Sequence, residues 1–179
     1  LKRFNYDFIH YESPDERGID VAFLYDKDKF IVSEHENIAV RLPRGDKTRD
    51  ILLVKGKFKG DNQNFYFFVN HWSSRREGAH ITEKKRIEAA ETLRYQVDKV
   101  IKNDENARIV ILGDFNDYPD SPSLTNYLDA KPQTPIDSNQ LFNMAYKLHE
   151  TGKGSYNYRG DWVMMDQIII SGNLLENNN

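Results

Sequence analysis

The sequence predicts a mixed α/β domain, and three of its features carry this prediction. Residues 109–112 form an unbroken apolar run, which is typical of a strand buried on both faces. Residues 50–58 and 64–70 are strand-like segments separated by a short Gly-Asp-Asn turn, which favours antiparallel pairing. Residues 82–102 carry apolar side chains at spacings of three and four, which predicts one long amphipathic helix.

The rest of the chain adds short elements on both sides of this helix. Residues 18–25 are mostly apolar on both faces, so we expect them to form a central strand. The other expected elements are strands at 6–11 and 30–41, helices at 122–128 and 141–149, and a final strand at 165–171.

Composition narrows the classes of function. The length of 179 residues suits one domain with a sizeable core. A net charge of −3 and a pI of about 6.0 argue against nucleic-acid binding by bulk charge, so such a role would need a local basic patch. The absence of cysteine excludes disulfides, thiolate metal sites and cysteine nucleophiles. No apolar run approaches the ~18 residues of a membrane span.

Polar side chains directly follow the buried strand at 109–112. If the chain stays extended, Asp114 and Asn116 point the same way and Phe115 points into the core. A carboxylate and a carboxamide then lie together at the C-terminal end of a buried strand, where α/β sheets tend to place their chemistry. The alternative is a polar loop after a core strand.

Other strand ends and loops supply further candidates. His71 ends the strand at 64–70, and Asp166 begins the last strand, where we expect a buried carboxylate that needs a partner. A turn cap is the alternative for Asp166. Three loop arginines could grip phosphate with paired hydrogen bonds or could be solvated surface groups, namely Arg17, Arg75 and Arg76. Oxygen ligands without cysteine favour Mg²⁺ or Mn²⁺, and hence metal-assisted attack by water on a phosphoester.

Four stretches, in chain order, resemble motifs of the endonuclease/exonuclease/phosphatase superfamily. Residues 113–117 resemble its G-D-F-N motif, and residues 17–25 resemble one of its early strands. Residues 70–75 resemble the strand end that carries a phosphate-contacting His or Tyr, and residues 165–171 resemble its D-x-I-x-x-S strand. The resemblance implies an α/β fold with a two-sheet β-sandwich flanked by helices in four layers, with mostly antiparallel or mixed strands, in a single domain over residues 1–179.

The resemblance also implies an activity and its site. The protein would be a metal-dependent phosphoester hydrolase, with Mg²⁺ or Mn²⁺ as cofactor and Asp114 and Asn116 as metal ligands. Asp114 would activate or position the attacking water, and Asn116 would orient it or bind the phosphate. His71 would stabilise phosphate charge, and Asp166 would orient a catalytic histidine. Two arginines would contact the substrate phosphate, namely Arg17 and Arg75.

Substrate and activity are less closely defined by the resemblance. The substrate would be a phosphoester of a nucleic acid, a phospholipid head group or a small phosphodiester. Residues 162–166 lack the Cys and Arg of the W-C-D-R-I type segment of inositol phosphatases, which makes that class less favoured. The alternative is a non-catalytic binding or scaffold domain that retains the fold.

Two segments of the family pattern are expected outside this sequence. They are N-terminal strands that carry a metal-binding Glu and a C-terminal motif that carries the catalytic His. On this expectation the chain lacks its outer strands, is inactive as it stands, and could form a homodimer through exposed sheet edges.

Overall fold

Seven strands join one mixed sheet in the computed structural model, which describes residues 5–133 and 137–175. The strands are β1 (Tyr6–His10), β2 (Ala22–Asp26), β3 (Phe30–Ile38), β4 (Ile51–Phe58), β5 (Phe65–His71), β6 (Arg108–Asp114), β7 (Ala130–Lys131), β8 (Leu141–Asn143), β9 (Tyr156–Tyr158), β10 (Asp161–Val163) and β11 (Asp166–Ser171). The order across the large sheet is β3-β4-β5-β6-β11-β8-β7, and β1–β2 and β9–β10 form separate two-stranded sheets. The predicted mixed α/β class is confirmed.

The connection from β5 to β6 fixes the position of the candidate site. The long helix α1 (Ala79–Asn103) lies between the two strands in sequence, and the strands are parallel neighbours. Parallel neighbours need such a crossover, and their carboxyl ends meet at one edge of the sheet. His71, the last residue of β5, is therefore in register with Asp114, the last residue of β6. The helix begins three residues before the predicted start at residue 82.

The main core lies between α1 and one face of the large sheet. The helix buries Ala90, Leu93 and Val97, which belong to the apolar stripe seen in the sequence. On the sheet side, Ile109 and Ile111 of β6 are fully covered. Full burial of a leucine, isoleucine or valine side chain stabilises the fold by about 1.5–3 kcal/mol, so these contacts hold β6 and α1 together beneath the candidate site.

The β1–β2 hairpin covers the opposite face of the sheet. Ile9 of β1 and Phe23 of β2 pack with Leu52 and Val54 of β4, which gives two sheets packed face to face. The prediction that β2 is a central strand is wrong. It lies in a two-stranded hairpin, and Leu24 on its outer face is 58% exposed. The apolar residues on one face of β2 pack against the large sheet. Those on the other face are left exposed by the described residues.

The predicted helix over residues 141–149 is also wrong in its first part. Residues 141–143 form β8, which pairs with β11, and only then does α2 (Tyr146–Glu150) begin. The buried amide of Asn143 explains the switch. It donates to Gln167 Oε1 (2.7 Å) across the strands, and its oxygen accepts from the Ala145 backbone N–H (3.0 Å). These tertiary bonds outweigh a weak helical preference.

The short predicted helix at 122–128 is present as one turn of π-helix over Ser123–Tyr127. Within the described residues, no helix has the length and apolar character needed to cross a membrane.

Candidate active site

The end of β6 approaches β5 more closely than any side chain would allow. Gly113 has a φ of +134°, and a Cβ there would lie 1.9 Å from the carbonyl oxygen of Asn70. Only glycine fits this conformation and this contact. The sequence predicts a buried strand over residues 109–112, but the strand continues through Gly113 to Asp114. The close approach brings His71 Nε2 to 3.5 Å from Asp114 Oδ2.

Asp114 and Asn116 are brought together by a turn. Asn116 has a φ of 50°, in the left-handed region that asparagine tolerates, so the chain does not stay extended as assumed. Its backbone N–H donates to Asp114 Oδ1 (2.8 Å), and its side-chain amide donates to the Trp72 carbonyl (3.0 Å). Because the amide nitrogen is held by Trp72, the amide oxygen is the atom left to accept a hydrogen bond from water or to bind a metal.

Phe115 lies in the core, as the sequence predicts. Its ring is fully buried and meets the Trp72 ring edge-on, with centroids 4.8 Å apart. We expect Phe115→Ala to lower the free energy of unfolding by about 3–5 kcal/mol, because it removes a buried ring and leaves a cavity. Urea unfolding curves measure this loss. Phe8→Ala, at a ring that is 61% exposed, is the control and should change stability far less.

Asp166 joins the same site from β11. It is in register with Asp114 on the neighbouring strand. The expectation of a buried carboxylate is wrong, because the alternation of β11 leaves Asp166 exposed and turns Gln167 inward. Gln167 takes the buried polar position and donates to the Asp117 carbonyl (2.7 Å).

The electrostatics of the site follow from partial burial. Burial raises the pKa of Asp114, and the nearby charge of Asp166 raises this pKa further. The hydrogen bond from the Asn116 backbone and the electrostatic interaction with His71 lower this pKa, but they do not cancel the effect of burial. Burial also lowers the pKa of His71, and the positive charge of Arg49 adds to this effect. His71 is therefore neutral at neutral pH and can act on a phosphate as a hydrogen-bond donor.

A cleft of about 650 Å³ opens in front of these groups. Asp114, Asn116 and Asp166 line it, while His71 contacts Asp114 from the neighbouring strand. Arg75 also lines the cleft, with its guanidinium carbon 4.7 Å from the centre of the Tyr118 ring.

Arg17, the other candidate phosphate contact, lies outside this cleft. Its side chain hydrogen-bonds Asp15 (3.3 Å) and lines a neighbouring polar depression of about 340 Å³. Arg76 and Ser74 line both the depression and the cleft, so the two are adjacent. Arg17 is thus beside the site and engaged with a carboxylate.

Sequence reasoning missed Arg49, whose buried side chain holds the backbone at the end of β5. Its guanidinium is buried and donates to the carbonyls of His71 (2.9 Å) and Trp72 and to Asp15 Oδ2 (2.7 Å). It therefore fixes the backbone that presents His71 and supplies the positive charge felt there. The only signal in the sequence is a Thr-Arg-Asp triplet directly before an apolar strand.

The partner of Arg49 makes a testable contribution to acid stability. Burial opposes ionisation of Asp15, yet hydrogen bonds from Arg49 and Arg17 lower its pKa from 3.8 to about 2. A lowered folded-state pKa stabilises the protein above the ordinary value, and this contribution is lost as pH falls towards 2. The shift corresponds to roughly 2 kcal/mol.

Asp15→Asn should therefore cost stability at pH 7, and its difference from the wild-type protein should narrow as pH falls from about 4 to about 2. Urea unfolding at a series of pH values measures this difference. Glu16→Gln, at the exposed neighbouring position, is the matched control and should show no such trend. A difference for Asp15→Asn that stays constant over the whole pH range would contradict this assignment.

Sequence reasoning also missed a second buried ion pair, between Arg86 and Asp117. Arg86 lies among the charged residues of α1, most of which face solvent, so the sequence does not distinguish it from them. Arg86 Nε lies 2.7 Å from Asp117 Oδ2, and both side chains are buried. Ser123 donates to the same carboxylate oxygen (2.7 Å), and Arg86 also donates to the Ala79 carbonyl (2.9 Å). The pair ties the loop after Asn116 to the start of α1.

The donor set at the cleft fits a hard divalent cation. Asp114 and Asp166 offer carboxylate oxygens, and Asn116 offers an amide oxygen. Mg²⁺ needs one or two carboxylates and keeps several waters, so this set is sufficient in kind.

The fold and the cleft together define a mixed α/β protein with acidic side chains at the ends of adjacent strands and two arginines, Arg75 and Arg76, in the segment between β5 and α1. A model of the endonuclease/exonuclease/phosphatase family matches residues 1–179, and the chain belongs to that family. The resemblance found in the sequence is thereby confirmed. Comparison with curated protein sequences gives no match.

Solved structures share the fold at low sequence identity. The human Nocturnin catalytic domain with bound sulfate has a TM-score of 0.70 and 17% identity, over 96% of this chain and 62% of that one. ANGEL2, a 2′,3′-cyclic phosphatase, has a TM-score of 0.69 and 13% identity, over 93% and 62%. A mannosyl-6-phosphatase of Bacteroides thetaiotaomicron has a TM-score of 0.63 and 19% identity, over 93% and 63%. The chain spans less than two thirds of the length of each of these proteins.

Proposed function

We propose that the protein is a metal-dependent hydrolase of phosphoesters, in which water attacks the phosphate. The observation that carries the proposal is the meeting of three strand ends. β5, β6 and β11 bring His71, Asp114 and Asp166 to one edge of the sheet, with Asn116 bonded to Asp114. Membership of the endonuclease/exonuclease/phosphatase family supports the same chemistry.

Each residue has a role that fits its surroundings. Asp114 holds the attacking water and accepts its proton, for which its raised pKa is suited. As the water oxygen bonds to phosphorus, the bond to the ester oxygen breaks, and the departing alkoxide takes up a proton from the solvent to leave as the alcohol. The amide oxygen of Asn116 orients the water or metal, and neutral His71 donates a hydrogen bond to a phosphate oxygen. Arg75 offers its guanidinium to the phosphate from the cleft wall.

The metal would be held by Asp114 and Asn116, with Mg²⁺ or Mn²⁺ as the expected ion. When bound, it would neutralise phosphate charge and polarise the phosphorus–oxygen bond. In the described residues, the Asp166 carboxylate makes no hydrogen bond to a histidine, so the proposed role of orienting an imidazole needs a partner that the structure does not describe. Within the structure, its negative charge acts on Asp114.

The related structures point to phosphate chemistry on diverse substrates. One is a 2′,3′-cyclic phosphatase and another a mannosyl-6-phosphatase, so the family scaffold accepts different alcohols. A nucleic acid, a phospholipid head group and a small phosphodiester are the candidate substrates. The convergence of acidic, amide and arginine side chains at one cleft supports a hydrolase over a scaffold domain.

A panel assay tests the proposal. The full-length protein that contains residues 1–179 is incubated with Mg²⁺ or Mn²⁺ and with DNA, RNA, phosphoinositides and bis-p-nitrophenyl phosphate in parallel, and residues 1–179 alone are assayed beside it. We expect the full-length protein to catalyse hydrolysis that requires the metal and stops on chelation with EDTA, and we expect residues 1–179 alone to be inactive. Absence of metal-dependent hydrolysis across the whole panel would favour the scaffold alternative.

A further inference from the structure

One wall of the cleft is built from aromatic rings that no proposed catalytic step uses. Tyr156 and Tyr158 of β9 both line the cleft, while Asn157 between them does not. Their ring centroids are 6.4 Å apart, and both residues are about half exposed, at 54% and 52%. The Arg159 guanidinium carbon lies 5.2 Å from the centre of the Tyr158 ring, so part of that ring is already covered. The ring surface that stays exposed beside the polar site suits a ligand with flat apolar faces.

The hairpin that carries these rings is closely tied to the site. β9 turns into β10 through Arg159 and Gly160, both with positive φ (54° and 100°), as a two-residue hairpin requires. At its base, Ser155 Oγ accepts hydrogen bonds from the backbone N–H groups of Met165 (3.1 Å) and Asp166 (2.9 Å). The tyrosines are therefore placed at a fixed distance from the acidic end of β11.

The cleft lining also includes cationic side chains. Arg75 lies over the Tyr118 ring, and that ring stacks on the His149 ring with centroids 5.3 Å apart and an angle of 11° between them. Contact with the Tyr118 ring limits the orientations of the Arg75 guanidinium. Arg76 also lines the cleft, so two guanidinium groups share it with the two tyrosines.

We propose that the cleft binds single-stranded nucleic acid, with bases stacked on Tyr156 and Tyr158 and adjoining phosphates held by Arg75 and Arg76. Exposed aromatic rings beside cationic side chains are the chemistry that recognises unpaired nucleotides, because bases stack on the rings while the cations hold the adjoining phosphates. A duplex hides its base faces, and a phospholipid head group has no flat aromatic face to stack. The local arginines provide the basic patch that a chain with a net charge of −3 would need. This inference rests on the proposed function for the identity of the phosphate site.

Binding without turnover tests the inference. A fluorescein-labelled decamer of thymidylate is titrated with protein in EDTA, and its anisotropy is compared with that of a decamer in which every nucleotide is abasic. We expect the base-containing decamer to bind at least about 10-fold more tightly. Tyr156→Ala and Tyr158→Ala should each weaken its binding by about 5- to 100-fold and barely affect the abasic decamer.

Trp162→Ala is the matched control, because Trp162 lies in the same hairpin, is 60% exposed and does not line the cleft. It should leave binding unchanged, and thermal melts should show that all three variants fold. Equal affinity for the two decamers, or an equal loss in Trp162→Ala, would overturn the inference.

Metal-dependent hydrolysis of bis-p-nitrophenyl phosphate is scored separately. If hydrolysis persists without any preference for bases, only this inference fails, and if the preference stands without hydrolysis, only the proposed function fails.

Discussion

In the full-length protein, Asp114→Asn is expected to lower the turnover of a phosphodiester by ~10²–10⁴-fold, the range for loss of a positioned proton acceptor. Asparagine keeps the shape of the side chain but cannot accept the proton of the attacking water at neutral pH. Rates with bis-p-nitrophenyl phosphate and saturating Mg²⁺ measure the effect. Asp98→Asn, at a carboxylate on α1 that is 63% exposed, is the control and should retain full turnover.

The same substitution should not reduce stability, which separates chemistry from folding. The pKa of Asp114 is raised in the folded protein, mainly by burial. A group with a raised folded-state pKa contributes stability below its unfolded pKa, and the contribution is lost as pH rises through the folded pKa. At neutral pH the ionised carboxylate therefore opposes folding, and Asp114→Asn should melt no lower than the wild-type protein. Near-normal turnover with unchanged folding would contradict the assignment of Asp114.

Arg86→Met is expected to lower the free energy of unfolding by about 3–5 kcal/mol, as when one partner of a buried ion pair is removed. The change removes the ion-pair partner of the buried Asp117 carboxylate, which keeps the hydrogen bond from Ser123. It also removes the donor to the Ala79 carbonyl at the start of α1. Urea unfolding measures the loss. Lys84→Met is the control, because Lys84 is exposed and lies two residues before Arg86 in α1. It should change the free energy of unfolding by less than about 0.5 kcal/mol.

A double variant distinguishes the ion pair from simple loss of packing. Replacing both partners, as in Arg86→Met with Asp117→Leu, removes the uncompensated charge, so part of the lost stability should return. A double variant that is as unstable as the sum of the two single variants would show that the charges do not interact. Because Asp117 follows Asn116 directly, we also expect Arg86→Met to impair turnover through the loop that bears Asn116.

The parts of the fold that sequence could predict are those set by local pattern. The apolar run before Asp114 identified the buried strand, and the period of two placed Phe115 in the core. The sequence also predicted that Asp114 and Asn116 lie close together, but it assumed an extended chain. In the structure, the left-handed backbone conformation of Asn116 brings the two residues together.

The parts that sequence could not predict depend on partners far along the chain. Arg49 is bonded to Asp15, 34 residues away, and a buried arginine has no distinct local pattern. The strand at residues 141–143 depends on the pairing of Asn143 with Gln167, which helical preference does not reveal. The inward turn of Gln167 in place of Asp166 follows from the register with β6, which is likewise a tertiary feature.

Turnover in ¹⁸O-labelled water tests the central claim most directly. The full-length protein is incubated with Mg²⁺ and a phosphodiester that the panel assay identifies, and the products are analysed by mass spectrometry. Attack of water on phosphorus at the Asp114 site predicts one ¹⁸O atom in the phosphate product and none in the released alcohol, with no labelled product in EDTA. Label in the alcohol, or labelled phosphate formed equally well without metal, would contradict the account.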